Sequence, residues 1–206
     1  MKIDLHVHTA ERSPCGRAGE EAQIQAAIGA GLDALVFTDH RVLAPPERLK
    51  QLNGKYEGIW IIGGIEITVN QEDVIVVGLD DPKLEKAGWT YPELRKYVGD
   101  RGGFIAVAHP FRYHEELLLD VESAPPDGIE CHSCSTPVEA EKTIREISHE
   151  LGIPVLSNSD AHRTELLGRW YNILPHDPAD EAELVEMLKA GEFECYAEEG
   201  GANVRE

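Results

Sequence analysis

The chain has 206 residues, enough for one domain that buries roughly 70% of its unfolded surface without disulfides or a structural metal. Its formal net charge of −19, from 38 acidic and 19 basic side chains, repels polyphosphate backbones and argues against long nucleic acid as a partner. Four scattered cysteines make no disulfide scaffold, and no segment resembles a signal core or the ~20 apolar residues of a membrane span, so a cytoplasmic protein working away from membranes is expected.

Short apolar, β-branched runs alternate with amphipathic stretches along the chain. Strands are expected at Ile3–His8, Ala34–Thr38, Ile59–Thr68, Asp73–Leu79, Phe104–Ala108, Gly128–Cys131, Pro154–Ser157 and Tyr171–Leu174. Helices are expected at Glu20–Ala30, Pro45–Leu52, Tyr91–Asp100, Val138–Leu151 and Asp180–Ala190. This alternation predicts an α/β fold with a parallel sheet covered by helices, and the lack of a glycine-rich dinucleotide fingerprint favours a small β/α barrel over a doubly wound sheet. Residues 1–206 read as a single catalytic domain, with a polar tail from about residue 198. In such a sheet functional side chains collect where the strands end.

The histidines obey that rule. Six of the nine (His6, His8, His40, His109, His132 and His162) lie at or just past a predicted strand end. His6 and His8 are two apart on a strand, so both imidazoles can share a face and reach one cation. The next strand ends in Asp39-His40, and Phe104–Ala108 ends in His109-Pro110. Asp160-Ala161-His162 repeats the shared-face spacing after the strand at Pro154–Ser157. Glu66 stands inside the apolar run Ile61–Ile67, where an unpaired buried carboxylate costs several kcal/mol and a metal ion removes that cost. Acid and imidazole groups at five strand ends point to a multinuclear metal centre.

Taken in order, Asp4-Leu5-His6-Val7-His8-Thr9, Thr38-Asp39-His40, Gly64-Ile65-Glu66, Ala108-His109-Pro110 and Ser159-Asp160-Ala161-His162 resemble the PHP (polymerase and histidinol phosphatase) family. The resemblance implies a small distorted (β/α)7 barrel of PHP type. It implies two or three divalent ions (zinc, manganese or iron) that hydrolyse phosphate esters. It also implies roles: His6, His8 and Asp160 on one metal, Glu66 bridging to a second held by His109, and His40 with His162 on a third. Two positions depart from the family pattern. Asp73 falls where a histidine is common, and the segment after His8-Thr9 reads Glu11-Arg12-Ser13-Pro14-Cys15, so a third metal has Cys15, Glu11 or neither. His132 is a further ligand or supporting residue, and Cys131-His132-Ser133-Cys134 admits a weaker redox or zinc-ribbon reading.

Phosphate needs cations as well. Arg41, Arg112 and Arg163 follow site histidines closely, with Arg12 and Arg17 after His8, and Arg112 and Arg163 are the favoured phosphate contacts. The expected activity is hydrolysis of a small phosphorylated metabolite, nucleotide or short oligonucleotide, with Glu66, His109, His162, Arg112 and Arg163 as the catalytic set. The alternatives are a non-catalytic PHP-type module that binds metal or a partner, and a metal-dependent amidohydrolase, a class that often carries a bridging lysine. Substrate, metal and oligomeric state do not follow from the sequence.

Overall fold

The computed structural model describes residues 1–198; the polar tail expected from about residue 198 lies almost wholly outside them. In chain order the described elements are β1 (Lys2–Val7), α1 (Glu20–Gly29), β2 (Ala34–Phe37), α2 (Pro46–Lys55), β3 (Trp60–Val69), β4 (Glu72–Val77), α3 (Tyr91–Gly99), β5 (Phe104–Val107), β6 (Gly128–His132), α4 (Glu141–Leu151), β7 (Val155–Ser157), β8 (Trp170–Ile173), α5 (Glu181–Ala190) and β9 (Glu194–Ala197). Every expected strand and helix is present within a few residues, and β9 is an additional strand.

The strands form one sheet in the order β7-β6-β5-β4-β3-β2-β1-β8-β9. It curls until its ends nearly meet, giving a barrel-like α/β fold. The residues just beyond β7 bridge back to β1: Val7 pairs in parallel with Ala161, and the His8 N–H donates to the Ala161 carbonyl at 2.9 Å. Below that bridge two buried asparagines replace the missing ladder. Asn158 Oδ1 accepts the Leu5 N–H at 3.1 Å, and Asn172 Oδ1 accepts the Ser157 N–H at 3.0 Å. These side-chain amides satisfy backbone groups that would otherwise be buried without partners.

The sheet is mixed, not parallel as the alternation suggested. β4 runs antiparallel to both β3 and β5, and β8 to both β1 and β9. β3 and β4 are joined by two residues, Asn70 and Gln71, both in the left-handed region (φ 51° and 68°), the geometry of a tight hairpin. Because β4 is reversed, its first residues lie on the same rim as the ends of its neighbours β3 and β5, and Asp73 arrives there by that route.

Apolar alternation builds the core in layers. Ile62, Val36, Ala34, Ile75, Val77, Phe104 and Leu156 form an inner cluster capped by Leu184 and Leu188 of α5. Ile65, Val74, Val76, Ile105, Val107 and Ile129 face outward onto Leu94 and Val98 of α3 and Ile144 of α4. A third cluster packs Val7, Leu35 and Phe37 against Ile24 of α1 and Leu52 of α2. β1 changes phase within itself. Ile3 and Leu5 belong to the inner cluster but Val7 to an outer one, because three steps from Asp4 to Val7 match two on β2, from Leu35 to Phe37. Such a bulge re-aims the side chains that follow, here placing His6 and His8 above the inner core.

Candidate metal centre

His6, His8, Glu66, His109 and Asp160 converge on the rim of the barrel, each at most 2% exposed. Their potential ligand atoms group within 4.8 Å of one another in overlapping sets: His6, His8 and Glu66; His6, His109 and Asp160; and Glu66, Asp73 and His109. A further set joins His8, Cys15, His40 and His162. The sequence-derived ligands His6, His8, His40, Glu66, Asp73, His109, Asp160 and His162 therefore come together.

Hydrogen bonding on the outer side of the rings fixes which atoms face inward. Glu130 Oε1 takes His6 Nδ1 at 3.2 Å, and Ser13 Oγ stands 3.2 Å from His8 Nδ1. Ser13 Oγ already donates to Asp39 Oδ1 at 2.7 Å, so it accepts from His8 Nδ1–H. The Asp160 carbonyl accepts Nδ1–H of His162 at 2.9 Å. His6 and His8 are thus left with their Nε2 atoms facing each other at 3.0 Å. Asp160 Oδ1 lies 3.1 Å from His8 Nε2 and 3.4 Å from His6 Nε2, yet it has no hydrogen-bond partner among the described residues. Glu66 Oε2 and Asp73 Oδ1 are likewise buried without an aligned donor, although His40 Nδ1 approaches Glu66 Oε2 to 2.8 Å. Nitrogen and oxygen lone pairs that converge closely without donor geometry fit a shared cation.

The electrostatics agree. Burial opposes the charge of every group here, but the ion pairs outweigh it for most. Asp160, Glu130 and Glu66 raise His6 well above the usual imidazole range, and the carboxylates also raise His40 and His109. Against the same burial, His6, His109 and His40 push Glu66 well below the usual carboxylate range, and His6 and His8 lower Asp160. His8 is the exception: burial lowers it, despite Asp160 and Glu66. The backbone carries strain at the same place, with positive φ at Arg41 (57°), His109 (25°) and Asp160 (51°).

The comparisons with known proteins bear on this arrangement. Residues 4–152 match the family model described as the PHP domain. The chain belongs to the PHP family. Residues 139–193 also match the model described as PHP-associated. Among curated proteins no sequence match is found. In the crystal structure of a two-domain protein from Bacteroides vulgatus, containing a predicted PHP-like metal-dependent phosphoesterase, the match has a TM-score of 0.72 at 17% identity. It covers 96% of this chain and 65% of that one, so the chain spans just under two thirds of that relative's length. PsfC from Pseudomonas syringae matches with a TM-score of 0.69 at 18% identity, over 97% of this chain and 92% of its own. An amidohydrolase from Chromobacterium violaceum, with bound sulfate and no metal, matches with a TM-score of 0.61 at 18% identity, over 82% of this chain and 90% of its own. At these identities the likeness is one of fold.

Two expected positions lie differently in this PHP domain. His132 does not reach the rim cluster. Glu130-to-His132 on β6 is matched by only Leu156-to-Ser157 on β7, and this bulge turns His132 outward. There it meets Arg145 Nη2 at 3.1 Å, near Glu141 and Cys131. Arg12 is spent on structure, donating to Asp39 Oδ2 at 2.7 Å and to Glu20. Arg112 does reach the site, with Nη1 3.4 Å from Asp160 Oδ2. Arg163 is half-buried beside His162, and its side chain makes no ion pair among the described residues.

Sequence reasoning overlooked two contributors. Glu130 is fully buried and holds both His6 and the backbone N–H of His109, the latter at 2.8 Å. Its position inside an apolar strand is the signal that singled out Glu66. Ser135 donates from Oγ to Asp160 Oδ2 at 2.5 Å, and nothing in its serine-rich loop marked it.

Proposed function

We propose that this PHP domain hydrolyses the phosphate ester of a small metabolite or nucleotide at a di- or trinuclear metal centre. The observation that carries the reading is the buried convergence of His6, His8, Glu66, His109 and Asp160, with Glu66 Oε2 and Asp160 Oδ1 turned inward and unpaired among the described residues. In this reading His6, His8, Glu66 and Asp160 hold one ion and Glu66, Asp73 and His109 a second, with His40 and His162 at a third. Divalent ions there would polarise a phosphoryl oxygen and acidify water.

The chain's own groups supply the rest. Arg112 is tethered to Asp160 at one edge of its guanidinium, which leaves its other N–H groups for an equatorial phosphate oxygen. Where no third ion is held, His40, the least buried of the site imidazoles (side chain 35% exposed), is placed to hand a proton to a departing alkoxide. A cleft of about 430 Å³ opens beside Arg112, lined by Phe111, His114, Pro137, Glu139 and Thr143. Its volume suits the organic part of a small substrate and not a polymer track. The acidic surface points the same way.

The amidohydrolase reading has a fold-level likeness behind it, but among the described residues Glu66, Asp73 and Asp160 pair with histidines and Arg112 and with no lysine. The test is elemental analysis of chelator-free protein for zinc, manganese and iron, with assays on p-nitrophenyl phosphate, bis-p-nitrophenyl phosphate and phosphometabolites. Two or three metals per chain, with turnover lost in His8→Ala and Glu66→Ala, is the expected result. Metal binding without turnover of any ester would leave a binding module, and turnover of amides alone would favour the amidohydrolase.

A further inference from the structure

Cys15 differs from the other three cysteines in its surroundings. Cys131 and Cys134 are buried in apolar clusters, and Cys195 donates from Sγ to the Val155 carbonyl at 3.3 Å on the far strand pair. Cys15 belongs to no apolar cluster. Its Sγ lies within 4.8 Å of a ligand nitrogen on each of His8, His40 and His162. The rings of His40 and His162 flank that of His8 at centroid distances of 4.7 and 4.3 Å.

The loop that carries Cys15 is built to put it there. Ser13 N–H and Gly16 N–H close successive turns onto Thr9 and Ser13 carbonyls at 2.9 Å each. Arg17 N–H donates to the His162 carbonyl at 2.8 Å, pinning the loop to the segment after β7. Gly16 packs so closely on Thr9 that a Cβ would meet Thr9 backbone atoms at 2.6 Å. Ser13 Oγ meanwhile accepts from His8 Nδ1–H and from the His40 N–H at 3.0 Å. The hydroxyl two residues before Cys15 therefore orients the His8 imidazole and holds the backbone from which the His40 imidazole projects.

We propose that Cys15 closes a nitrogen–sulfur metal position with His40 and His162, and that this position takes zinc while the Glu66–Asp73–His109 position accepts harder ions. This rests on the metal-centre reading above. A thiolate with imidazoles selects zinc or other borderline-soft ions, whereas a site of two carboxylates and one imidazole also suits manganese. On binding, the thiol proton leaves to solvent and the sulfur lone pair becomes the ligand.

Cobalt(II) reports the ligand directly. Metal-free protein is titrated with cobalt and followed by absorption. The expected result is a thiolate-to-cobalt charge-transfer band in the near ultraviolet that persists in Cys134→Ala and is missing in Cys15→Ala. Zinc stoichiometry of Cys15→Ala should fall by one equivalent per chain. As a check that leaves the loop sequence unaltered, wild-type protein is also alkylated with iodoacetamide with and without zinc, and zinc should shield Cys15 selectively in the mapped peptides. Cobalt bound with ligand-field bands but no charge transfer, or Cys15 equally alkylated with saturating zinc, overturns the proposal and leaves the metal centre intact. No bound cobalt or zinc at all sinks both together.

Discussion

Glu130 holds His6 from behind: its Oε1 stands 3.2 Å from His6 Nδ1, with both side chains fully buried. The same carboxylate accepts Asn158 Nδ2–H at 2.8 Å and the His109 N–H at 2.8 Å. One residue thus sets the ring orientation of one proposed ligand and the backbone position of another. Carboxylates behind metal-binding histidines tune affinity by about 10- to 100-fold. Glu130→Gln should therefore keep the fold and lower zinc affinity by that factor, measured by competition with a chromophoric chelator. Unchanged affinity would reduce Glu130 to a packing role.

Arg112 and Arg163 both follow site histidines in the sequence, but only Arg112 touches a site carboxylate. Arg112→Ala should lower kcat/KM on phosphomonoesters by about 100-fold, the cost of losing one preorganised donor to a developing charge. Lysine should rescue only part of it, since it keeps the charge and loses the planar fork. Arg163→Ala should cost much less. A larger loss at Arg163 would relocate the phosphate seat to the His162 side of the rim.

The rim itself was legible in the sequence because parallel strands deliver chemistry at one end, and short apolar runs stopping at His8, His40, His109 and Asp160 mark that end. What the sequence hid was phase and direction. The bulge in β1 brings His6 and His8 onto the inner face, and the bulge in β6 sends His132 off it, yet neither leaves a trace in the period-two pattern. The hairpin that reverses β4 turns on Asn70-Gln71, where glycine would have announced it and glutamine does not. Glu130 could have been found, since the burial argument made for Glu66 applies to it unchanged.

Gly64 precedes the proposed bridging carboxylate by two residues and packs between Val36 on β2 and Val76 on β4. A Cβ there would lie 2.8 Å from Val36 Cγ1 and 2.8 Å from the Val76 carbonyl oxygen. Since one of those neighbours is backbone, β3 must shift to make room. Gly64→Ala should destabilise the chain by about 1–3 kcal/mol in urea unfolding. It should also weaken metal binding, because Glu66 rides on the same strand. A stability loss with full metal stoichiometry would show that the strand absorbs the shift below Glu66.

Proton competition should govern metal loading. In the metal-free chain the carboxylates raise His6, His40 and His109, against the effect of burial, so these rings hold protons to higher pH than free imidazole. Cation binding must expel those protons, so affinity climbs as pH rises and is lost as it falls, by about tenfold per pH unit for each proton displaced. Calorimetry of zinc binding in two buffers of different ionisation enthalpy counts the protons directly. A count of zero at neutral pH would mean that the rings are already neutral.

Asp4 supplies the sharpest stability test, because its carboxyl is buried and only half satisfied. Oδ1 accepts the N–H groups of His6 and Ser159 at 3.2 and 3.1 Å, but Oδ2 has no partner among the described residues. Burial pushes its pKa from 3.8 up to about 7, against those hydrogen bonds and His6. A carboxyl raised on folding is protonated in the folded chain and ionised in the unfolded one between these two values. Its contribution is fully present below pH 3.8 and is lost as pH rises through about 7. The loss has an upper bound on the order of 4 kcal/mol at 1.36 kcal/mol per unit. Asn at this position keeps the Oδ1 acceptor and cannot ionise. Urea unfolding of metal-free wild type and Asp4→Asn should therefore show the variant gaining on wild type as pH is raised from 4 to 8, with the gap levelling off above neutrality. Curves that stay parallel across that range would mean that Asp4 is ionised throughout, with its charge compensated by the imidazolium of His6.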